Sequence, residues 1–149
     1  MNKFELIGIK LPHKTLNKNN QAAIDCGGLW QRFLTEEIMA KIPNKISNEI
    51  FAVYFDFKSD HTEEFAYFIG CKVETNTNVP ENLDALSIPQ QQYKKVIAKG
   101  KVPECIGKAW SNIWDSNIPR NYGYDFEIYD ERSSNWDDAE IDIFLSIKN

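Results

Sequence analysis

The order of predicted elements repeats once along the chain, and this repeat constrains the fold more than any other feature. Alternating apolar residues predict a first strand from Phe4 to Leu11. Apolar residues at spacings of three and four predict a helix from Gln21 to Lys41, in which Gly27-Gly28 permit a kink or a late start. Two aromatic-rich runs, Glu49 to Phe57 and Phe65 to Val73, predict a hairpin that completes the first unit.

The second unit follows the polar segment 74–84, which reads as a linker. It contains an interrupted strand, a helix and a hairpin, predicted at Ala85 to Ala98, Pro103 to Pro119, and Tyr124 to Ile147. We therefore predict an α+β fold. Two pseudo-symmetric strand-helix-hairpin modules, about 1–75 and 84–149, are expected to form one domain with an antiparallel sheet, two helices and a central pocket.

Composition and charge restrict the classes of function. Aromatic residues, the usual material of a ligand pocket, make up 13% of the 149 residues. The net charge of -5 argues against direct binding of nucleic acid, because Lys and Arg neutralise phosphates in such complexes. No leader pattern and no apolar run approaching roughly 18 residues is present, so we expect no membrane partner.

Cysteine and histidine usage favours neither a disulfide framework nor a metal site. Cys26, Cys71 and Cys105 are odd in number and widely spaced, which is typical of a chain in the reducing cytoplasm. The segment Asp60-His61-Thr62 reads as a turn, because no second histidine lies at metal-ligand spacing. We expect no cofactor and no metal.

Glu127 is the most informative single residue. In the predicted strand, Phe126 and Ile128 point to one face while Asp125, Glu127 and Tyr129 point to the other. If solvent covers the second face, this is an ordinary half-buried strand. If the aromatic helices cover it, Glu127 is an acid in an apolar surrounding that favours a positively charged guest.

The repeat supplies the surroundings of Glu127. Aligning the run that begins at Phe51 with the run that begins at Phe126 pairs Ala52 with Glu127 and Tyr54 with Tyr129. The two units would then face each other with a tyrosine on each side and a carboxylate on one. Four helical rings can cover this face, and core packing explains each ring taken alone: Trp30, Phe33, Trp110 and Trp114. Trp110 and Trp114, one turn apart, are the favoured pocket lining.

Three runs carry a resemblance to a known family. They are IFAVYFDFKSDHTEEFAYFIGCKV (50–73), KVPECIGKAWSNIWDS (101–116) and YDFEIYDERSSNWDDAEIDIFLSIK (124–148). The chain resembles the GyrI-like effector-binding domains found in AraC-type and MerR-type transcription activators, and within them the free-standing integron-associated effector-binding proteins. The resemblance spans nearly the whole chain.

The resemblance implies a binding protein for lipophilic, drug-like cations that is linked to transcription regulation or multidrug sensing. The family's pocket glutamate falls on Glu127 and its tyrosine on Tyr129. The full set of candidate ligand-binding residues is Glu127, Tyr129, Tyr54, Trp110, Trp114, Trp30, Phe33 and Phe68. No helix-turn-helix pattern precedes the first strand, so we expect no DNA binding by this chain alone.

Two other functions stay open at the level of sequence. Some GyrI-like proteins resemble hydrolases of strained electrophilic rings, for which Glu127 with Tyr54 or Tyr129 would supply a base and a hydroxyl. A module that binds and inhibits a larger protein partner is the third reading, and its partner is not identified by any motif.

Overall fold

The computed structural model describes residues 2–148. The strands are β1 (Phe4–Lys10), β2 (Ile50–Phe55), β3 (Ala66–Val73), β4 (Asp84–Ile88), β5 (Tyr93–Gly100), β6 (Asp125–Tyr129) and β7 (Ala139–Ser146). The helices are α1 (Gln21–Thr35), α2 (Ile38–Lys41) and α3 (Glu104–Trp114), with a 3-10 turn at Glu131–Ser133. No helix in the described part is long and apolar enough to cross a membrane.

The seven strands form one antiparallel sheet in the order β4-β1-β3-β2-β6-β7-β5. The predicted α+β class and antiparallel sheet are confirmed. The strand order also displays the duplication, because β1-β3-β2, which follow the edge strand β4, mirror β5-β7-β6 from the other edge. The two units meet where β2 pairs with β6, and there Ala52 lies directly opposite Glu127. The two residues aligned by the sequence repeat are therefore cross-strand neighbours.

The sheet separates two apolar layers. On one face, α1 and α2 cover the first unit and α3 covers the second. The opposite face carries a layer of its own, in which Phe4, Phe51, Phe68 and Phe126 are buried together. Strand alternation divides β6 between these layers: Phe126 and Ile128 face away from the helices, whereas Glu127 faces them.

The first predicted helix is wrong in its extent and in the position of its break. The chain remains helical through Gly27 and Gly28, and α1 ends at Thr35 instead. The break lies at Glu37, which adopts a left-handed conformation with φ of 50° before α2 begins. Leu29 and Phe33 face the core, but Leu34 is exposed although it belongs to the apolar pattern.

The predicted strand from Ala85 to Ala98 is in fact two strands on opposite edges of the sheet. β4 pairs with β1 and β5 pairs with β7. Pro89 follows β4 directly and cannot donate a ladder hydrogen bond, which explains why pairing stops there. Because only Pro89 to Gln92 join the two strands, the sheet must curl so that its edges approach each other at this end.

Candidate functional site

Glu127 is buried at the centre of the helix-covered face, with 1% of its surface exposed. Three ring side chains donate hydrogen bonds to its carboxylate. The Tyr54 hydroxyl and the Trp110 indole Nε1 reach Oε2 at 2.8 and 2.6 Å, and the Tyr129 hydroxyl reaches Oε1 at 2.7 Å. These donors come from β2, α3 and β6, so the junction of the two units assembles the site.

The charge of Glu127 has no cationic partner among the residues that the structure describes. Among residues 2–148, no Lys, Arg or His side chain forms an ion pair with it. Burial raises the pKa of the Glu127 carboxyl above its ordinary value, and the hydrogen bonds from Tyr129, Trp110 and Tyr54 oppose this rise. The site is therefore a buried acid that is hydrogen-bonded but not neutralised.

A second layer of rings holds this arrangement. The Trp30 indole Nε1 donates to the Tyr67 hydroxyl at 2.8 Å, and the Trp30 ring packs against Tyr129 with centroids 4.8 Å apart. Burial, and then the nearby Glu127 charge, raise the pKa of Tyr54, Tyr67 and Tyr129 well above the ordinary value. Their hydroxyls therefore stay protonated and neutral at physiological pH.

A cleft of about 200 Å³ opens between α1 and α3 beside the buried acid. Tyr54 and Trp110 line it and separate it from Glu127, so the carboxylate lies directly behind the cleft wall. Small side chains of α1 and α3 keep the cleft open, and an added Cβ at Gly107 would meet no atom within 4 Å. The lining residues are Asn17, Ala22, Ala23, Cys26, Tyr54, Phe57, His61, Phe65, Gly107, Trp110, Trp114 and Arg120.

The structure divides the residues that the sequence proposed as a site. Tyr54, Trp110 and Trp114 line the cleft. Trp30 and Tyr129 lie behind it, around the acid, and Phe33 is a buried core residue packed edge-on against Trp30.

The assignment of Phe68 to the pocket is wrong. Phe68 lies on the far face of the sheet, in the layer that contains Phe126. Strand alternation explains this, because its neighbours Tyr67 and Ile69 on β3 point toward the helices.

Sequence reasoning missed several cleft residues. His61 does lie in a turn, where Asp60 Oδ1 accepts hydrogen bonds from Thr62, yet its ring also stacks on Trp114 with centroids 5.2 Å apart. Its Nδ1 is buried without a hydrogen-bond partner in the described structure. A residue in a polar turn carries no periodicity that would reveal such a contact.

Arg120 is the most consequential residue that the sequence did not single out. Its side chain is 6% exposed, and its Nη2 donates to Asp125 Oδ2 at 2.7 Å. Asp125 Oδ1 accepts from the backbone N–H and the hydroxyl of Ser146. The guanidinium carbon lies over the Tyr122 ring, 4.3 Å from its centroid. Arg120 directly follows Pro119, where the predicted helix ends, and this position gave no signal.

Three other acids of the last third of the chain are paired at the surface. Arg132 forms ion pairs with Asp130, Glu140 and Asp142 at 2.9 Å each. A larger depression of about 730 Å³ lies elsewhere, lined by Gln90 to Tyr93, Asn121, Ile147 and Lys148. Its lining contains one ring, the half-buried Tyr93, and no carboxyl group. The cleft beside Glu127 is therefore the candidate functional site.

The geometry bears on the choice between binding and catalysis. A carboxylate offers about four lone-pair directions, and three of the acceptor positions of Glu127 are occupied by Tyr54, Trp110 and Tyr129. A general base must reach the proton that it removes. Because Glu127 lies behind the cleft wall and is already engaged by three donors, this arrangement favours electrostatic attraction over proton transfer.

An α+β sheet of this order, with helices that enclose a buried acid and an aromatic cleft, is the fold of an effector-binding domain. The chain belongs to the integron-associated effector binding protein family, whose model, named Cass2, matches residues 1–147. The proposed resemblance is thereby confirmed. A relative in Bacillus subtilis (strain 168), the candidate transcriptional regulator YobU, is 22% identical over an alignment of 124 residues, and the match covers 80% of this chain and 78% of YobU.

Two solved structures share the fold. The protein SAV2435, whose structure was determined bound to tetraphenylphosphonium, superposes on this chain with a TM-score of 0.78 at 18% sequence identity. The match covers 100% of this chain and 91% of the SAV2435 chain. The integron cassette protein VCH_CASS2 of Vibrio cholerae superposes on this chain with a TM-score of 0.74 at 18% sequence identity. The match covers 99% of this chain and 92% of the VCH_CASS2 chain. At these identities the similarity establishes the fold.

Proposed function

We propose that this protein is an effector-binding protein that binds lipophilic aromatic cations in the cleft between α1 and α3. The observation that carries the proposal is Glu127, a buried carboxylate directly behind the aromatic wall of that cleft, with no cationic partner within residues 2–148. A buried charge that the protein leaves unpaired attracts an opposite charge from outside. The binding of tetraphenylphosphonium by SAV2435, which has the same fold, supports this choice of ligand class.

Cation–π attraction and the acid act together in this proposal. A cation over an indole ring gains about 0.5–2 kcal/mol, and more when water is excluded. The Trp110 and Tyr54 rings both donate hydrogen bonds to Glu127, and such donation polarises the donor group and enriches the ring in electron density. Glu127 therefore attracts the ligand cation in two ways, through these two rings and through the electric field of its own charge.

The size of the cleft selects the probe. Its volume of about 200 Å³ is below the roughly 300–1,000 Å³ of sites for drug-sized ligands. A one-ring cation such as phenyltrimethylammonium suits the cleft as it stands, whereas larger cations require α1 and α3 to separate. Cations that fill the cleft are expected to bind with micromolar dissociation constants, about -8 kcal/mol.

The test compares phenyltrimethylammonium with its uncharged isostere tert-butylbenzene. The two molecules have the same shape, so a difference in affinity reports on charge alone. We expect the cation to bind at least tenfold more tightly at pH 7, measured by the shift of the Trp110 indole proton resonance during titration. Equal affinities would contradict the proposal.

The location of the site is tested from α3. Gly107→Leu places a side chain into the open space of the cleft, and we expect it to weaken binding of phenyltrimethylammonium at least tenfold. Gly28→Leu is the matched control, because Gly28 is an exposed glycine of α1 that does not line the cleft. Both variants should gain up to about 1 kcal/mol of stability from helix propensity. Equal binding by the two variants would place the ligand elsewhere.

A role in regulation extends the same proposal. The relative YobU is a candidate transcriptional regulator, and we propose that this protein likewise senses its ligands for transcription, as a sensor of multiple drugs in the cytoplasm. The three cysteines are free thiols, which suits a reducing compartment. Anisotropy of a fluorescent random DNA duplex should show no binding by the chain alone, whereas salt-sensitive submicromolar binding would contradict this part.

A further inference from the structure

Arg120 lines the same cleft and has hydrogen-bonding capacity that the protein does not use. Its Nη2 is bound by Asp125, but Nε and Nη1 are buried and have no hydrogen-bond partner within residues 2–148. Buried donors in native proteins are almost always bonded, and an exception calls for an explanation. Asp125, by contrast, has both carboxylate oxygens engaged.

The neighbouring rings do not supply the missing acceptor. The guanidinium carbon lies 4.3 Å from the Tyr122 ring centroid and 5.6 Å from the Trp110 centroid. Such packing covers a face of the guanidinium, whereas its N–H bonds point outward in the guanidinium plane. Nε–H and Nη1 lie on different edges of the guanidinium, and each remains available to an oxygen of a group that reaches Arg120 from the cleft.

We infer that the cleft binds cations that also carry a neutral hydrogen-bond-accepting oxygen, such as a ketone, ester or amide carbonyl, and that Arg120 is the residue that binds this oxygen. The inference rests on the proposed function and specifies the class of ligand. Trp110 and Tyr54 hold the cationic end through the charge of Glu127, and Arg120 holds the oxygen at another point of the same wall.

The local charge favours a neutral oxygen over a carboxylate. The ion pair of Arg120 with Asp125 is formally neutral, and the remaining charge behind the cleft is that of Glu127. A ligand carboxylate would gain from Arg120 but would be repelled by Asp125 and Glu127. A carbonyl oxygen accepts the same N–H bonds without that repulsion.

The experiment uses three cations of one shape class on the whole protein. They are trimethylphenylammonium ions with an acetyl, an isopropyl or a carboxylate group at the para position. We expect the acetyl compound to bind at least tenfold more tightly than the isopropyl compound, because only the acetyl group can accept the free N–H bonds. We also expect it to bind more tightly than the carboxylate. Calorimetric titration at pH 7 gives all three affinities.

A variant assigns the preference to Arg120. Arg120→Lys keeps a positive charge beside Asp125 but removes Nε and Nη1, and it should reduce the acetyl preference, taken as the ratio of acetyl to isopropyl affinity in the variant itself, to less than threefold. Circular dichroism and a melting curve show whether the variant is folded, and the comparison of ligands on the unaltered protein stands without it.

The outcomes separate this inference from the proposed function. If acetyl and isopropyl compounds bind equally, the inference is overturned, and a resident water on Arg120 is the simplest explanation. If the carboxylate binds most tightly, the ligand class is zwitterionic and the assignment of a neutral oxygen is overturned. If the uncharged analogue 4-tert-butylacetophenone binds as well as the acetyl cation, the proposed function itself fails.

Discussion

Glu127→Gln is expected to become progressively more stable than the parent protein as the pH rises from about 4.5 toward neutrality. Burial raises the folded-state pKa of Glu127 above its unfolded value, so the folded protein retains a proton that the unfolded chain has lost. The stability of the parent is therefore full below the unfolded pKa, falls as pH rises through the folded pKa, and then levels off. The glutamine variant does not lose stability in this window.

The expected slope is large. The difference in the free energy of unfolding between variant and parent should grow by up to about 1.4 kcal/mol per pH unit within the window. Tyr54 and Tyr129 do not titrate there, because their pKa values are raised above the ordinary value for tyrosine. Urea unfolding of both proteins at pH 4, 5, 6, 7 and 8 measures the difference.

A control isolates burial from the mere loss of a charge. Glu81→Gln changes an exposed glutamate of the loop between β3 and β4 and should give a difference that does not follow this curve. A Glu127→Gln difference that is flat or that falls with pH would show that the three ring donors outweigh desolvation. In that case Glu127 would be a structural residue whose charge is fully stabilised by its hydrogen-bond donors.

Asp125→Asn is expected to lower the free energy of unfolding by about 3–5 kcal/mol, the usual effect of removing one partner from a buried ion pair. Asp125 has no exposed surface and accepts hydrogen bonds from Arg120 and from two atoms of Ser146. An asparagine at position 125 can still accept hydrogen bonds from Ser146, but it cannot also neutralise Arg120. The Arg120 charge is then left uncompensated in the core.

The matched control for Asp125→Asn lies at the surface. Glu140→Gln removes the surface ion pairs with Arg132 and Lys99, and such pairs contribute up to about 1 kcal/mol each. Urea unfolding at pH 7 compares the two variants. Equal losses of stability would mean that the Arg120–Asp125 pair is not a buried structural pair, and would remove the support for the placement of Arg120 in the cleft wall.

Much of the fold and part of the site could be predicted from sequence, and strand and helix periodicity explain why. Alternation on β6 placed Glu127 and Tyr129 on one face, and one-turn spacing placed Trp110 and Trp114 together. The repeat predicted that the two units face each other, and in the structure they meet where Ala52 lies opposite Glu127. These features depend on local geometry, which the sequence pattern carries directly.

Other features depend on which elements meet in space, and periodicity does not contain that information. Phe68 was assigned to the wrong face because an aromatic residue in a strand suits either layer of a two-layer sheet. The ring donors to Glu127 and the contact of His61 with Trp114 join segments far apart in the chain. Arg120 lies in a connecting segment, and its partner Asp125 resembled one more surface acid.

The measurement that tests the account most directly is the ratio of the affinities for phenyltrimethylammonium and tert-butylbenzene, in the parent protein and in Glu127→Gln, at pH 7. We expect a ratio of at least ten in the parent and of less than about three in the variant, with the affinity for tert-butylbenzene nearly unchanged. This pattern would identify the negative charge of Glu127 as the source of selectivity for cations. A ratio near one in the parent, or a ratio of ten that survives in Glu127→Gln, would contradict the account.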